Sequence, residues 1–455
     1  MRQSYESQTS TSSEVTLADL EKNGLEMEKK FTIEEGPCVD NQVSLPPKDE
    51  GWRAWVFLAG SFLAEFIIGG LPDSFGLFED YYKSHEPYSH DEHNISVIGF
   101  TTLGIMYMGN PITCMAMAKW PRFRRYCAHL GAILMVVGLL LASLANNVKL
   151  LIAFQGVVYA SGCAILYPPV VLFCDDWFEK RKGLAYGVIC SGTGVAGTVT
   201  PIILSQLLKS YSLHNVFRIW ALVTAVVCVP ILIVVKPRVP DSMRERPSRN
   251  PDLSFLKNKA FNLYQIANII EGLGYFVPSV YLPLFARTVG FSNDSGNPLL
   301  VSLFNGFLVF GSIFVGFLTD RRLTNFSILL TSSGAVLSVL FLWGFAVDLP
   351  VLCLFACIYG IFAGGYSASY SGIIRDILET EPKLDGDLMW GVMAAGRGIG
   401  SIACGPLSDQ LISLDAWKNP NAYTYGTGYG PLVVWVAITA AIGSISCIAR
   451  KVNWL

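Results

Sequence analysis

Charged side chains are scarce in this chain, in which Asp, Glu, Lys and Arg make up 15% of the 455 residues. Soluble proteins carry about 25% charged residues, so an arrangement of soluble domains is excluded. The net charge of −2 offers no basic field for nucleic acid. The sequence also lacks a catalytic triad, a phosphate-binding loop and a metalloprotease motif, and we therefore expect no enzyme.

The spacing of the 11 cysteines fits neither a disulfide framework nor a zinc site. Ten of them lie in or beside apolar segments, where a thiol serves as a small apolar side chain, and the other is Cys38. We therefore expect no metal and no cofactor. The first 50 residues are polar and acidic, so we expect no cleavable signal peptide.

Apolar residues are abundant: they make up 52% of the chain and are grouped into twelve segments. Each segment is close to the ~20 residues that a helix needs to span a bilayer. The sequence therefore predicts an all-α membrane protein with twelve transmembrane helices and the lipid bilayer as its partner. The predicted spans begin at Trp55, Ile95, Tyr126, Leu150, Gly183, Val216, Phe261, Pro298, Phe326, Pro350, Leu388 and Pro431.

Polar segments divide the chain into four parts. Residues 1–50 are rich in Ser, Thr and Glu, which predicts a disordered cytoplasmic tail. Residues 236–258 are polar, carry four prolines and form the predicted linker between two groups of six spans. The predicted six-helix bundles are residues 51–235 and 259–455.

Lys and Arg are distributed unevenly over the loops, with 18 on one side of the predicted membrane and five on the other. The positive-inside rule places both termini and the linker in the cytoplasm. The plasma membrane is the expected location, with the vacuolar or another internal membrane as the alternative. Asn94 and Asn293 then lie outside. Each begins an Asn-x-Ser sequon, so both are candidate glycosylation sites.

The pattern Gly-Val-x-x-x-Gly-x-Gly occurs twice, 204 residues apart, beginning at Gly187 and at Gly391. A second pair of features follows nearly the same offset: Glu65 precedes Pro72 by seven residues, and Glu271 precedes Pro278 by seven. The two groups of six spans are therefore interpreted as parallel copies. This plan resembles that of a major facilitator transporter, in which one cavity lies between two six-helix bundles.

The repeated glycines are expected to pack helices rather than to bind a nucleotide. Residues 192–197 match the letters of the dinucleotide motif G-x-G-x-x-G, but that motif requires a preceding strand and an aqueous helix N-terminus. Inside an apolar helix, small residues allow close contact with a neighbouring helix. The candidate packing positions are Gly187, Gly192, Gly194, Gly391, Gly396 and Gly398.

Glu65, Glu271 and Arg397 lie near the middle of predicted spans. A charge at that depth costs roughly 2.5–3.5 kcal/mol on insertion scales, so such residues usually face a cavity or a partner. We interpret Arg397 as a binding site for an organic anion and Glu65 or Glu271 as a proton carrier. Asp73, near the outer end of span 1, is a further candidate for proton coupling, and it either lines the outer vestibule or is solvated. The alternative for the three deeper charges is an internal ion pair that only joins helices.

Polar side chains within other spans are candidates for lining the solute path. Asn110 and Asn305 lie in spans 2 and 8, which the repeat relates, and Tyr366 lies in span 10. A hydrogen bond between helices is the alternative for each. The candidates for gating or topology lie in the short basic loops: Arg122, Arg124, Arg181, Asp320 and Arg321.

Three segments resemble the monocarboxylate transporter-like family, especially its fungal members. They are Asp49-Glu50-Gly51-Trp52-Arg53-Ala54-Trp55, Trp177-Phe178-Glu179-Lys180-Arg181-Lys182-Gly183-Leu184-Ala185-Tyr186-Gly187, and Gly396-Arg397-Gly398-Ile399-Gly400 with Gly405-Pro406-Leu407-Ser408. The resemblance covers residues 49–455 and implies transport of a carboxylate. Asp320-Arg321-Arg322 also resembles the loop that stabilises the outward-facing state of major facilitator transporters through cytoplasmic ion pairs.

The chain departs from the family in two places. Animal lactate carriers have a lysine after the proline of span 1, where this chain has Asp73. They also carry an Asp/Arg pair in span 8, which here is uncharged from Leu299 to Leu318. Proton-coupled lactate transport is therefore not implied by the resemblance.

The sequence thus predicts a secondary active transporter, functional as a monomer, that moves a small organic solute by alternating access. A carboxylate or another organic anion is the first choice of solute, with protons as the coupling ion of a symporter. Efflux of an apolar secondary metabolite or toxin is the alternative. A nutrient sensor that has lost turnover is a third reading, which the modest length of the N-terminal tail disfavours.

Overall fold

A computed structural model describes residues 46–239, 251–290, 298–414, 417 and 423–447. Within these ranges the regular secondary structure is helical and contains no β-strand. Most of the predicted tail, the centre of the predicted linker and the sequon at Asn293 lie outside the described residues.

Twelve long helical segments follow one another in the described parts of the chain. They are α1 (Trp52–Ser84), α2 (Glu92–Lys119), α3 (Pro121–Ala142), α4 (Val148–Trp177), α5 (Lys182–Ser210), α6 (Leu213–Val234), α7 (Lys259–Arg287), α8 (Pro298–Asp320), α9 (Thr324–Trp343), α10 (Leu349–Thr380), α11 (Gly386–Ser413) and α12 (Gly430–Cys447). Single 3₁₀ turns lie at Tyr88–Asp91, Ser254–Lys257 and Tyr423–Gly426.

Ten of these segments are long and apolar enough to cross a membrane. The other two are α3, whose apolar part Tyr126–Ala142 is shorter, and α11, which is 28 residues long and carries Arg397 in its middle. The order and number of the helices therefore match the twelve predicted spans. Hydropathy was sufficient for this because an apolar run of that length has no stable place in a soluble fold.

Helix α6 shows which surfaces face the lipid. Leu222, Val226, Val229 and Ile233 follow one another at intervals of three and four residues, and each is at least 59% exposed. Such an apolar stripe on the outside would be a liability in water. In a bilayer it is the surface that contacts acyl chains, while the opposite side of the helix, with Phe217 and Trp220, is buried.

The first helix of each group of six is interrupted near its proline. In α1 the regular helix ends at Asp73 and resumes at Phe75, after Pro72. In α7 it ends at Tyr275 and resumes at Val277, just before Pro278. Proline cannot donate the backbone hydrogen bond of a helix interior, so both interruptions follow from the sequence.

Helices α1–α6 pack mainly against one another, as do α7–α12, and two seams join the groups. In one seam α5 lies along α8, and in the other α2 lies along α11. These seams place α1, α7 and α11 around the centre of the molecule, where the three predicted mid-membrane charges lie.

Candidate functional site

A buried ion pair joins α7 to α11. Arg397 Nη1 donates to Glu271 Oε2 at 3.1 Å, and the two residues are 5% and 6% exposed. The helices approach closely because Gly272 of α7 faces Gly400 of α11, where a Cβ would lie 2.6 Å from the Gly272 backbone. The positive charge of Arg397 is therefore compensated within the same half of the molecule. For these two residues the ion-pair alternative describes the observed geometry.

Aromatic rings cover the guanidinium group. The Cζ atom of Arg397 lies 3.9 Å from the centroid of the Tyr275 ring and 5.5 Å from that of Phe276. Both rings lie at the interruption of α7, which brings them beside the cation. The planar guanidinium group is stabilised by such stacking in addition to its ion pair.

Glu65 lies on α1 in the opposite half and has no cationic partner among the described residues. Its Oε1 atom lies 3.4 Å from Thr193 Oγ1 of α5, while its Oε2 atom is buried without a hydrogen-bond partner in the described part of the chain. The side chain is 4% exposed. The two mid-membrane glutamates thus differ, since Glu271 is paired with a cation and Glu65 is surrounded by hydroxyl groups.

Tyr107 of α2 connects the two halves of the site. It packs on Gly398 of α11, where any Cβ would collide with Tyr107 Cβ. Its hydroxyl lies in the neighbourhood of three charged residues, Arg397, Asp73 and Glu65. Asp73 itself is half-buried, and its place in an outer vestibule stays a prediction. Sequence analysis missed Tyr107, because an aromatic residue in an apolar span follows no distinctive pattern.

Tyr167 of α4 was missed for the same reason. Its side chain neighbours the Glu65 carboxyl group. Its ring stands edge-on to that of Trp390 on α11, with centroids 5.1 Å apart. Trp390 Nε1 donates to the Tyr186 hydroxyl of α5 at 2.9 Å. These rings close the space between the site and the helix ends that carry the basic loops.

The three predicted path-lining residues lie at helix contacts. Asn110 is fully buried, and its Nδ2 donates to the Met106 and Tyr107 carbonyls of its own helix at 3.1 and 3.0 Å. Asn305 lies in the α5–α8 seam and donates to the Val301 carbonyl at 3.1 Å. A role for either in the solute path stays a prediction.

Tyr366 lies beside Glu271, and it is not part of the contact between Tyr107 and α11. Its hydroxyl donates to the Gly443 carbonyl at 3.4 Å. Tyr366 and Glu271 line a small cavity, together with Tyr359 and Ser332, that is enclosed by α7, α9, α10 and α12. This cavity has a volume of about 10 Å³, roughly the space of one water molecule, and its lining is mainly apolar.

The repeated glycines contact helices in a symmetrical manner. A Cβ at Gly187 or Gly194 would strike α8, and a Cβ at Gly391 or Gly398 would strike α2, so these four face the opposite half across the seams. The remaining pair faces its own half: a Cβ at Gly192 would lie 2.9 Å from Glu65 Cβ, and one at Gly396 would strike Gln265 of α7. Each copy of the pattern therefore joins the seam to the helix that carries the central glutamate.

The ends of the helices near the basic loops form what we call the basic face, and Asp320 joins the halves there. Its Oδ1 and Oδ2 accept the backbone N–H groups of Gly183 and Leu184 at 2.5 and 2.8 Å. The first turn of a helix offers unpaired N–H groups and favours an anion. The last residue of α8 therefore caps the N-terminus of α5 across the seam.

A second link at the basic face joins α3 to α11. Arg124 Nη1 lies 3.4 Å from Asp387 Oδ2, and its Cζ lies 5.2 Å from the Phe173 ring centroid. The other predicted gating residues do not reach the opposite half with their side chains. Arg321 follows the end of α8, and its Cζ lies 4.6 Å from the ring centroid of Phe317 in that helix, while Arg122 and Arg181 are exposed.

Asn94, the sequon residue that the structure describes, is exposed at the start of α2 and donates to Asp91 Oδ1 at 2.7 Å. It lies at the end of the molecule opposite the basic face. Its glycosylation stays a prediction.

A bundle of apolar helices with buried charged groups at its centre is typical of a membrane transporter. Residues 54–405 match the family model described as Major Facilitator Superfamily. The match covers most of the chain, which therefore belongs to this superfamily, as the helix count and the internal repeat predicted.

Similar proteins occur in fungi. The chain is 26% identical to "MFS transporter asaE" of Aspergillus flavus over 381 residues, 83% of this chain and 84% of the relative. It is 26% identical to the "Fujikurins efflux protein" of Gibberella fujikuroi over 340 residues, 74% and 72% of the two chains. It is 25% identical to the "Agnestins efflux protein AgnL12" of Paecilomyces divaricatus over 373 residues, 81% and 83% of the two chains.

Among solved structures, the human organic anion transporter MFSD10 (TETRAN) is similar with a TM-score of 0.58 and 13% sequence identity. The likeness covers 89% of this chain and 99% of that one. At this identity it bears on the fold alone, which is that of a major facilitator transporter.

Proposed function

We propose that this protein exports an organic metabolite of mainly apolar character by alternating access, with protons exchanged at Glu65 and Glu271. The observation that carries the proposal is the state of Arg397. Its charge is compensated by Glu271 at 3.1 Å and covered by the Tyr275 ring at 3.9 Å. The centre therefore presents aromatic and weakly polar surfaces to a solute, with few unpaired charges, and such surfaces suit an apolar molecule.

The relatives support export. Two of them are named as efflux proteins for fujikurins and for agnestins. We therefore place efflux of an apolar metabolite, the alternative in the sequence analysis, ahead of import of a carboxylate. The identity of the metabolite is not part of the proposal.

Export against a gradient requires an energy source, and the two central glutamates supply a place for protons. A buried carboxyl group without a full set of donors is costly to keep ionised. Glu65 and Glu271 lie in opposite halves, on α1 and α7 near the centre of the molecule, so each is positioned to change its exposure when the halves rock. Protons would enter as the metabolite leaves, in an exchange of the two.

An organic anion is the second candidate solute. The hydrogen bond to Glu271 uses one guanidinium nitrogen of Arg397, and protonation of Glu271 would leave the cation without a counter-charge. An anion would then bind in its place. The resemblance to the monocarboxylate transporter-like family favours this candidate, and membership of that family remains a proposal.

Metabolite profiling separates the two candidates. For each compound, the ratio of its concentrations in medium and cytosol is measured in cells that express the chain and in cells that do not. The compounds whose ratio differs between the two kinds of cell are the candidates. We expect expression to enrich apolar compounds in the medium. Enrichment of small carboxylates, abolished by Arg397→Ala and unaffected by Arg218→Ala at an exposed arginine of α6, would replace export of apolar compounds by anion transport.

Proton exchange is tested in proteoliposomes with the compound that profiling identifies. Addition of the compound is expected to drive a proton flux in the wild type, and the flux should be lost in the variant Glu65→Gln/Glu271→Gln. Glu50→Gln is the matched control, because Glu50 is an exposed carboxylate outside the spans. Compound-dependent proton flux that survives in the double variant removes the proposed role of both glutamates.

We further propose that the basic face is cytoplasmic, that the protein lies in the plasma membrane and that it works as a monomer. The excess of Lys and Arg in the loops of that face supports the orientation. Mild proteolysis of intact cells and of inside-out vesicles tests it: cleavage in the linker 236–258 is expected only in the vesicles.

A further inference from the structure

The loop between α4 and α5 is held from two sides by carboxylates. Asp49, which lies before α1, accepts the backbone N–H groups of Glu179, Lys180 and Arg181 at 2.9–3.1 Å. Asp320 of the opposite half accepts those of the next turn, as described above. Two carboxylates thus bind five N–H groups within a stretch of six residues.

The contact of Asp49 lies wholly within the first half of the molecule. The Asp49 N–H donates to the Trp177 carbonyl at 2.9 Å, and Lys48 pairs with Glu179 at 2.9 Å. Trp177 Nε1 in turn donates to the Lys236 carbonyl at 2.9 Å, at the start of the linker. The contact can therefore persist when the halves separate, whereas the contacts of Asp320 must break.

Asp49 adopts an unusual backbone conformation to make this contact. Its φ angle is 57°, in the left-handed region that non-glycine residues rarely adopt. Asp and Asn tolerate this region better than other residues. A strained backbone conformation persists where several contacts hold the residue in place. Here three N–H groups bind the Asp49 side chain.

We propose that Asp49 is a positioning residue for closure of the basic face: it holds residues 178–181 in the conformation in which the first turn of α5 binds Asp320. Without the Asp49 carboxylate, three N–H groups of the loop lose their charged acceptor, and the start of α5 is free to shift. The two hydrogen bonds to Asp320 then weaken, and the basic face opens more often. The inference requires only alternating access and holds for any solute.

Cys174 reports opening of the basic face. It is 1% exposed and lines a small cavity between α4, α5, α10 and α11, next to Lys182 and Trp390. A water-soluble maleimide reaches this thiol only when the halves separate there. Its alkylation in the full-length protein in nanodiscs can be followed by peptide mass spectrometry, with Cys228 of α6 as a buried internal reference.

The key variant is Asp49→Asn, which keeps the shape and the left-handed backbone but removes the charge. An anion at a helix N-terminus contributes modestly, so we expect Cys174 to be alkylated about two- to fivefold faster, with no change at Cys228. Glu50→Gln, at the adjacent exposed carboxylate, should behave as the wild type. Equal acceleration at Cys174 and Cys228 would show a general loss of stability and overturn the proposal, as would an unchanged rate at Cys174.

A double variant tests whether Asp49 acts through Asp320. Asp320→Asn alone should accelerate alkylation of Cys174, and Asp49→Asn/Asp320→Asn should be no faster than Asp320→Asn, because both act on one set of contacts. Multiplied effects in the double variant would show that the two carboxylates act independently. Wild-type behaviour of Asp320→Asn would show that the cap does not close this face, and either result overturns the proposal.

Discussion

The ion pair between Glu271 and Arg397 makes a quantitative prediction about stability. At 3.1 Å and an effective dielectric constant of about 20, the attraction between the two charges is about 5 kcal/mol. Burial of both groups removes their hydration and offsets most of this gain. The intact pair is therefore worth little, but removal of one partner leaves a buried charge and costs about 3–5 kcal/mol.

The perturbation is a cycle of three variants: Glu271→Gln, Arg397→Met and the two combined. Each single change is expected to lower the melting temperature of the purified protein by several degrees, followed as loss of the monodisperse peak on heating. The combined change leaves no buried charge at either position, so most of the loss should be recovered. Arg218→Met, at an exposed arginine, is the control and should not shift the melting temperature.

The reasoning is refuted if the combined variant is destabilised by the sum of the two single effects. Additivity would mean that the side chains contribute separately, through packing on Tyr275 or on Gly443, and that their charges are not coupled.

Two further outcomes follow from contacts already described. Gly187→Ala should lower the melting temperature by the equivalent of about 1–3 kcal/mol, because its methyl group strikes the Ser312 carbonyl, whereas Gly76→Ala, with nothing within 4 Å, should not. Partial burial raises the pKa of Asp49, but the three N–H groups and the Lys180 charge lower it more, so its net pKa lies below the ordinary value of about 3.9. The contribution of the Asp49 carboxylate to closure is therefore complete when the pH lies above the ordinary pKa. It is lost as the pH falls through the lower pKa that Asp49 has in the folded protein. With an acid-compatible disulfide reagent, the ratio of Cys174 reactivity in Asp49→Asn to that in the wild type should be constant from about pH 8 to 5, and a ratio that drifts in this range contradicts the assignment.

The membrane helices could be read from the sequence because each is a local property of about 20 residues. The helix interruptions were also local, since Pro72 and Pro278 mark them. The repeat of Gly-Val-x-x-x-Gly-x-Gly predicted that α5 and α11 are equivalent. It could not predict that two glycines of each copy face the opposite half and one its own, because that depends on how the halves are rotated against each other.

The sequence predicted which charged residues lie at the site, but not which residues they contact. Arg397, Glu65 and Glu271 were identified from depth alone, yet 126 residues separate Glu271 from Arg397, and no pattern in the sequence joins them. Tyr107 and Tyr167 carry no signal among the many aromatic residues of apolar spans. Asp49 was recognised only as part of a family-like segment, and its contact with residues 179–181 joins two motifs that are far apart along the chain.

The glycine contacts of the seams bear on which parts of the molecule would move during alternating access. Gly194 touches the α8 backbone at Asn305, and Gly398 touches Tyr107, both close to the level of the central charges. If these backbone contacts serve as the axis of rocking, atoms near them move little, while the helix ends sweep through the largest arc. Arg397, Glu271 and Tyr107 would then remain neighbours throughout the cycle. The contacts of these residues with the solute would then stay the same through the cycle, and only the side from which water reaches the site would change.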